Sequence, residues 1–293
     1  MSLELPKRAR TLAFVVVGLS SLFLLSGCSS ADKGEWKRLA MPVPATQEAP
    51  HTLHLWQWAW VAALITGGIV WGLIFYASFR FRRRHEDEVP VQTRYNLPIE
   101  IFYTIAPIMM VIVFFFFTVK TQNEVLHQFE HPDRTITVVG QQWSWTFNYN
   151  LGYDDTTNKF VPTGKVVYDA GTTANRPTLW LVKGERTEFH LYSPDVIHSF
   201  WVPDFLFKMD VVPGRDNKFG LTPSRLGTFE GRCAELCGLY HSQMLFNVKV
   251  VTKPQFDAHM AELAKQGNTG EAVGGSDVST QTGLETTQNG GQQ

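Results

Sequence analysis

The chain has 293 residues and a formal net charge of -1, enough for one sizeable domain with attached segments. The near-neutral charge gives no basis for a general affinity for nucleic acid, so that class of function is set aside. Hydrophobic residues make up 44% of the chain and aromatic residues 13%, and this composition indicates membrane-embedded segments.

The N-terminus has the pattern of an export signal. A basic head precedes an uncharged apolar run over residues 11–25, which is too short to span a bilayer but typical of a signal-peptide core. The following Leu-Ser-Gly-Cys, ending at Cys28, resembles a bacterial lipobox, in which the cysteine is lipidated and becomes the mature N-terminus. We therefore predict a lipoprotein signal peptide over residues 1–27 and lipidation of Cys28, rather than an ordinary signal peptide with a chance cysteine.

Two long uncharged segments come after a polar linker predicted over residues 28–54. The runs 55–79 and 101–119 are each long enough to cross the hydrocarbon core as a helix. The loop between them concentrates positive charge in Arg80, Arg82, Arg83, Arg84 and Arg94. The positive-inside rule places this loop in the cytoplasm. We predict a two-helix hairpin over residues 55–119 in the bacterial cell membrane, with the C-terminal half of the chain on the outer side.

The region over residues 120–265 has a different pattern. Short runs of β-branched and aromatic residues, such as TITVV and QWSWTFNY, alternate with Gly and Pro, which predicts an all-β sandwich or barrel. Pro254 opens a segment whose apolar spacing suits a short closing helix. Residues 266–293 contain almost no large apolar residues, and we predict that they are disordered.

The run CAELCGLYHSQM holds soft metal ligands at close spacing. Thiolate, imidazole and thioether, offered by Cys233, Cys237, His241 and Met244, together select a soft or borderline transition metal. A blue-copper site uses one cysteine, two histidines and a weak methionine. Because a second cysteine is present here, two thiolates could each bridge two metal ions. His198, in the upstream stretch SPDVIHSFWVP, is the best candidate for the second imidazole.

Other interpretations of these residues stay open at this point. A disulfide between Cys233 and Cys237 is possible outside the cytoplasm, although it leaves the histidine and methionine of the run unexplained. A structural zinc site usually takes two close pairs of Cys or His and disfavours a thioether. Taken alone, His198 would be an ordinary buried imidazole and Met244 ordinary core packing. Their spacing in one loop favours a metal site.

Three stretches carry a resemblance to a known family. GQQWSWTF, SPDVIHSFWVP and GRCAELCGLYHSQM, after a two-helix hairpin, resemble subunit II of haem-copper cytochrome c oxidase over about residues 55–256. The resemblance implies a cupredoxin-like Greek-key β domain that holds the dinuclear copper centre CuA. It implies these copper ligands: the bridging Cys233 and Cys237, the terminal His198 and His241, and, as weak ligands, Met244 and the backbone carbonyl of Glu235.

The resemblance also assigns roles to residues around the copper centre. The side chain of Glu235 would reach a magnesium or manganese ion at the contact with subunit I. Trp143 would accept electrons from cytochrome c, Glu100 would lie at the mouth of a proton pathway, and Asp195 matches an acidic position near the docking face. Without the resemblance, Trp143 and Trp145 would be assigned to the core, because alternation puts them on one face of a strand. Structural packing remains our prediction for Trp145.

The implied activity belongs to a complex. Electrons from a haem c donor would pass through this chain to haem in subunit I, where oxygen is reduced to water with proton pumping; subunit III is a further implied partner. Between residues 130 and 252 there are thirteen Asp or Glu and twelve Lys or Arg, so strong steering of a soluble basic cytochrome is not expected. With the lipobox and the long segment 153–177, this resembles the actinobacterial form. We expect a membrane-tethered haem c donor, as in a joined bc-type complex.

Three other classes of protein share parts of this pattern. Nitrous-oxide reductase has a similar copper motif on a large soluble chain without this hairpin. Quinol-oxidase subunits keep the hairpin and the β domain but lack the copper ligands. A membrane-anchored copper carrier would need open coordination and would purify alone, whereas an oxidase subunit would purify with haem-bearing partners. No general acid, base or nucleophile constellation is visible elsewhere in the sequence, so oxygen reduction is expected in another chain.

Overall fold

The computed structural model describes residues 30–85, 88–89, 91–154, 156–157 and 159–274. The predicted signal peptide and Cys28 lie outside the described residues. The chain divides into two units, residues 1–42 and 43–293. Within the first unit, helix α1 spans Ser30–Arg38, so part of the predicted linker is helical.

The second unit begins with a hairpin of two long helices. Helix α2 spans Ala49–Arg80 and helix α3 spans Leu97–Val125. Both exceed the ~20 residues that a membrane-crossing helix needs, and both are long and apolar enough to be membrane spans. Their side chains are largely exposed, as lipid-facing or subunit-facing surfaces must be. The two predicted long apolar helices are present, and α2 also takes in residues 49–54 of the predicted linker.

The described part of the second unit beyond the hairpin is a β sandwich followed by a short helix. Its described strands form two five-stranded sheets, ordered β3-β2-β1-β5-β8 and β4-β10-β9-β6-β7. Most pairs are antiparallel, but β1 with β5 and β4 with β10 run parallel. The strands are β1 Arg134–Gln141, β2 Ser144–Asp154, β3 Lys159–Ala170, β4 Thr178–Val182, β5 Thr187–Tyr192, β6 His198–Val202, β7 Phe207–Val211, β8 Asn217–Leu221, β9 Gly227–Cys233 and β10 Leu245–Val251. The predicted combination of a helical hairpin and an all-β sandwich domain is confirmed.

Aromatic side chains fill the space between the sheets. Trp145, Phe200 and Phe246 are fully buried, and the Phe246 ring lies 5.4 Å from Trp145 and 5.1 Å from Phe200, centroid to centroid. Such pairs contribute about 0.5–1.5 kcal/mol each beyond the area they bury. Gly231 is required on β9, because a Cβ there would overlap the Phe246 ring. This packing fixes the positions of β6, β9 and β10, at whose ends His198, Cys233 and Met244 lie.

A short segment ahead of α2 fastens the hairpin to the sandwich. Thr46 pairs with Pro223, and the N–H of Ala45 donates to the carbonyl of Asp204 over 2.9 Å. The carboxylate of Glu48 accepts the N–H of Thr222 over 3.0 Å and 3.1 Å. These contacts hold the β domain at the outer end of the hairpin.

The closing helix is present, and the chain beyond it differs from the prediction. Helix α4 spans Lys253–Lys265 and starts with a capping box between Thr252 and Gln255. Residues 266–274 then pack on the sandwich, so the prediction of disorder from residue 266 is wrong for this stretch. The amide of buried Asn148 donates to the carbonyl of Ala272 and accepts its N–H, both at 2.8 Å. A polar anchor of this kind leaves no apolar signal in the composition; residues 275–293 lie outside the described residues.

Asn148 provides a stability test of this anchor. Replacing it with alanine leaves both backbone groups of Ala272 without their partner, so we expect Asn148→Ala to lower the free energy of unfolding by about 1–3 kcal/mol. Truncation after Lys265 removes the same two bonds, and its effect should therefore not add to that of Asn148→Ala. Thermal unfolding of the wild type, the two single changes and their combination measures this. A truncated protein as stable as the full chain would contradict the anchoring role.

Asp169 provides a pH-dependent test of the sandwich. Burial raises the pKa of its carboxyl group to about 6, against a hydrogen bond from the Thr178 N–H that lowers it. The folded protein therefore binds this proton more tightly than the unfolded chain, and stability falls as the pH rises through the range from about 4 to about 6. We expect Asp169→Asn to increase stability at pH 7 by about 1–2 kcal/mol, allowing for partial solvent exposure, and to remove that decline. Denaturant unfolding at pH 5 and pH 7 checks this, with the exposed Asp210→Asn as control; a loss of stability at pH 7 would contradict it.

Candidate metal centre

The soft ligands converge at one end of the sandwich because of where the strands begin and end. His198 is the first residue of β6, Cys233 is the last residue of β9, and Met244 immediately precedes β10. The backbone holds these ends together: the N–H of Cys233 donates to the carbonyl of Met244, and the N–H of Ala234 donates to that of Ser199, both at 3.0 Å. The loop between β9 and β10 carries Cys237 and His241. Backbone pairing thus brings together the strand ends that carry these residues.

The side-chain distances define a compact cluster. The two cysteine sulfurs lie 3.9 Å apart. The Sγ atom of Cys233 is 4.0 Å from Nδ1 of His198, and that of Cys237 is 3.5 Å from Nδ1 of His241. The thioether sulfur of Met244 lies 3.6 Å from Sγ of Cys237. Each cysteine therefore has an imidazole of its own, and the thioether approaches Cys237.

The cluster is buried, and its cysteines are not joined. His198 and Met244 are fully buried, while Cys233 and Cys237 are 6% and 4% exposed. Both cysteines are free, so the structure does not support the disulfide interpretation. Burial without a covalent link leaves two thiols whose sulfur atoms face each other, together with two imidazoles and a thioether.

The protonation of the two thiols is unequal. The neighbouring Cys237 thiol lowers the pKa of Cys233 below its usual value, against the opposing effect of burial and with help from His198. The same pairing, together with burial, raises the pKa of Cys237 far above its usual range. The two thiols together therefore lose one proton readily, from Cys233, and retain the other, on Cys237. A bound cation replaces such a proton and makes a second thiolate favourable.

Asp195 orients the His198 ring from the side that faces away from the sulfur cluster. Its carboxylate lies 2.9 Å from Nε2 of His198 and accepts the backbone N–H of Gln142 over 2.7 Å. Burial of the imidazole lowers the pKa of His198, but the hydrogen bonds with Asp195 and Cys233 outweigh it and raise the pKa overall. Burial raises the pKa of Asp195 in turn, but its hydrogen bonds with His198 and the Gln142 N–H hold that pKa below its usual value. With Nε2 engaged in this way, Nδ1 is turned toward the sulfur cluster.

Two side chains outside the ligand set meet at the carbonyl of Cys237. Nε2 of Gln142 donates to this oxygen over 2.7 Å, and Nε1 of Trp143 donates to it over 3.1 Å. Trp143 is half-buried and lies in the turn between β1 and β2, not within a strand as the alternation suggested. Its ring packs edge-on against Tyr240 at 5.0 Å. Gln142 was missed by sequence reasoning; its position beside Trp143 in GQQWSWTF was the available signal.

The other residues singled out in the sequence lie in three different places in the structure. Trp145 is fully buried against His198 and Phe246, which agrees with a packing role. The backbone carbonyl of Glu235 lies 3.2 Å from Sγ of Cys233, and its side chain is exposed. Glu100 is far from the cluster, in the first turn of α3, where its carboxylate accepts the N–H of Asn96 over 2.8 Å.

The donor set fits a soft metal. Metal–sulfur bonds of ~2.3 Å and metal–nitrogen bonds of ~2.0 Å allow one ion to join a sulfur and a nitrogen up to about 4.3 Å apart. Both cysteine–histidine pairs lie within that span, and the sulfur–sulfur separation is also short enough for a shared ion. Within the described residues, ligand atoms of His198, Cys233 and Cys237 come within 4.8 Å of one another, close enough to hold a metal ion. Thiolate, imidazole and thioether together favour copper over zinc or a hard cation.

Fold and site together define a class of protein. It is a membrane-anchored β-sandwich protein with a buried copper-type centre. This centre lies at the end of the sandwich that is farther from the hairpin. Comparison with known proteins narrows this class. The sequence matches the family "Cytochrome C oxidase subunit II, periplasmic domain" over residues 134–251. It is 46% identical to a probable cytochrome c oxidase subunit 2 of Streptomyces avermitilis, with 92% of each chain covered. The chain belongs to the cytochrome c oxidase subunit II family.

More distant relatives were also found. Cytochrome c oxidase subunit 2 of Mycobacterium tuberculosis (strain H37Rv) is 35% identical, over 85% of this chain and 80% of that protein. Among solved structures, the periplasmic domain of subunit II of cytochrome oxidase of Bradyrhizobium japonicum aligns with a TM-score of 0.39 and 25% identity, covering 47% of this chain and 99% of that one.

Proposed function

We propose that this chain is the electron-accepting subunit of its oxidase, with a dinuclear copper centre CuA in the soft-ligand cluster. Electrons from a haem c donor would leave this centre for haem in subunit I, where oxygen is reduced to water with proton pumping. One observation carries the proposal. Two buried, unjoined sulfur atoms lie 3.9 Å apart, and each has its own imidazole.

The ligands of the proposed centre divide into strong and weak donors. The sulfurs of Cys233 and Cys237 would be shared between the metal ions, and His198 and His241 would each complete one side. Met244 lies close to Cys237, and the carbonyl of Glu235 lies close to Cys233, so one weak donor would serve each side. When bound, the copper pair supplies one-electron transfer with little change of geometry.

The protein's own residues keep the proposed metal site rigid and shielded from water. The backbone bonds at Cys233 and Met244 fix the ends of the ligand loop, and Asp195 fixes the His198 ring. Trp145 closes the inner side, with its Nε1 donating to the carbonyl of Met244 over 3.3 Å. A site that is pre-formed by packing need not rearrange when its charge changes, which supports a role in electron transfer rather than in bond chemistry.

Trp143 is the proposed point at which electrons arrive. Its half-buried ring is partly accessible from outside, and its N–H is bonded to the backbone of the ligand Cys237. Leu236 and Leu239 in the ligand loop are 78% and 80% exposed. Exposed apolar side chains beside a half-buried aromatic ring are typical of a contact surface for another protein.

The donor is proposed to be tethered, as in a joined bc-type complex, and the salt dependence of turnover tests this. The near balance of charges on the β domain gives little long-range steering. We expect turnover with the native membrane donor to change little as the ionic strength rises from about 20 to about 200 mM. Added soluble cytochrome c should support only slow turnover. Fast turnover with the soluble cytochrome that falls steeply with salt would contradict the proposal.

Four further assignments belong to the same proposal. The exposed side chain of Glu235 is available to meet a magnesium or manganese ion at the contact with subunit I. Glu100 would serve the mouth of a proton pathway, although its bond to the Asn96 N–H also gives it a role as a helix cap. Lipidation of Cys28 and contacts with subunit III complete the proposed assembly. Intact-mass measurement of the mature chain tests the lipid anchor, because diacylation adds a mass that an ordinary signal peptide would not.

Co-purification tests the assembly itself. Isolated gently from its native membrane, the chain should carry two copper ions and bring haem-bearing subunits with it. A chain that purified alone, with copper that a chelator removes at once, would be a copper carrier, and the proposed function would be wrong.

A further inference from the structure

A groove between α2 and α3 changes from polar to apolar along its length. Its outer end is lined by His51, His54 and Lys120, and its inner part by Trp58, Met110 and Phe117 among others. The groove is open along one side and its volume is about 730 Å³, within the range of about 300–1,000 Å³ typical of sites for small molecules. The groove thus has one end suited to a charged group and a long interior suited to hydrocarbon.

The depth of the groove corresponds to one leaflet of a bilayer. On α3 it runs from Thr121 at the polar end to Met109 at the apolar end, which at 1.5 Å per residue is about 18 Å. Half of the ~30 Å hydrocarbon core is about 15 Å. On α2 the lining ends at Ala62, in the first half of the helix. A membrane-spanning helix of another subunit would continue through both leaflets, so a groove that ends at mid-membrane suits it poorly.

The charge at the mouth favours an anionic headgroup. Within the described part of the chain, no hydrogen bond or ion pair engages the ammonium of Lys120, and His51 and His54 lie across the groove from it. The carboxylate of Glu48, which lies next to His51 in the adjoining polar cavity, is bonded to the Thr222 N–H. Glu124 lines that adjoining cavity and not the groove. Lys120 therefore provides the permanent positive charge at the polar end of the groove.

We propose that this groove binds one anionic glycerophospholipid of the outer leaflet. Its phosphate lies at Lys120 between His51 and His54, and an acyl chain runs inward past Trp58 and Phe117. Such a lipid fills the space between two helices that otherwise leave apolar side chains facing a void. The site is built from the hairpin alone and does not depend on the copper centre.

Lipid retention in the purified complex tests the proposal. The complex is washed in detergent, exchanged into mixed micelles containing phosphatidylglycerol or phosphatidylcholine, and its bound phospholipid is measured by mass spectrometry. One cationic side chain near a headgroup makes about a fivefold difference in binding. We therefore expect Lys120→Gln to retain about fivefold less phosphatidylglycerol, with phosphatidylcholine unchanged. The exposed Lys159→Gln, on the β domain, is the matched control and should retain both lipids like the wild type.

A second variant tests the apolar part of the groove. Ala62→Trp fills the inner end without changing charge and should reduce retention of both lipids, with the haem-bearing subunits still present. Unchanged phosphatidylglycerol in Lys120→Gln would overturn the proposal. So would an Ala62→Trp complex that keeps its lipid but loses its partner subunits, because the groove would then be a subunit contact. Copper content is measured throughout, so a failure of the lipid site is distinguishable from a failure of the copper centre.

Discussion

Replacing Cys237 with serine is expected to abolish the copper centre while leaving the fold in place. Cys237 is in contact with Cys233, His241 and Met244, so its sulfur lies at the middle of the cluster. Serine has nearly the same shape but offers a hard oxygen that keeps its proton, and it cannot share two soft ions. Changes around a metal site that spare its ligands already cost about 10–100-fold, and loss of a bridging ligand should exceed that range.

The measurement is copper per chain in the purified complex, together with turnover by the native donor. We expect fewer than two copper ions per chain and turnover reduced by at least about 100-fold. Met244→Leu is the matched control, because it preserves volume and both thiols and removes only a weak donor. It should retain its copper. A Cys237→Ser complex with full copper and full turnover would show that this sulfur is not a bridge.

Replacing Trp143 is expected to slow electron arrival without emptying the metal centre. Trp143→Phe removes the N–H that donates to the Cys237 carbonyl and shortens the partly exposed aromatic surface. Gln142 still donates to the same oxygen, so the loop should keep its position. We expect an unchanged copper content and unchanged electron transfer from an artificial reductant. Reduction by the haem c donor should fall by an order of magnitude or more.

Two other tryptophans provide controls for that result. Trp145→Phe should lower stability because Trp145 is fully buried. Because Trp145 packs on His198 and bonds the Met244 carbonyl, this change should also slow transfer from the artificial reductant, which Trp143→Phe should not. Trp180 lies on β4, stacked on His259 at 4.0 Å, and Trp180→Phe should change neither rate. If Trp143→Phe and Trp180→Phe behaved alike toward the donor, Trp143 would not be the route of arrival.

The features that could be predicted from the sequence are those that depend on residues close together in the chain. The two membrane helices follow from uninterrupted apolar length, and the ligand loop from Cys233 to Met244 follows from spacing within twelve residues. The alternation of apolar residues predicted strands because a strand with one buried face must alternate. His198 required more, since it lies 35 residues before Cys233. The sequence offered it only as the best upstream candidate for the second imidazole, and the pairing of β6 with β9 is what brings it beside Cys233.

The parts that escaped prediction are contacts between distant polar groups. Gln142 reaches Cys237 across 95 residues, and Asn148 reaches Ala272 across 124. Neither pair leaves a periodic or compositional trace, because one side chain and one backbone group suffice for each. Trp143 was placed on a strand because its neighbours alternate, but the tight connection between β1 and β2 puts it in a turn. Turn position also explains how its ring reaches the ligand loop.

The central claim is that two metal ions share the sulfurs of Cys233 and Cys237, and one spectrum tests it most directly. The electron paramagnetic resonance spectrum of the oxidised, copper-loaded protein reports how many copper nuclei share the unpaired electron. Two equivalent nuclei split the signal into a seven-line hyperfine pattern, which is the result expected here. A four-line pattern from a single copper nucleus would contradict the account.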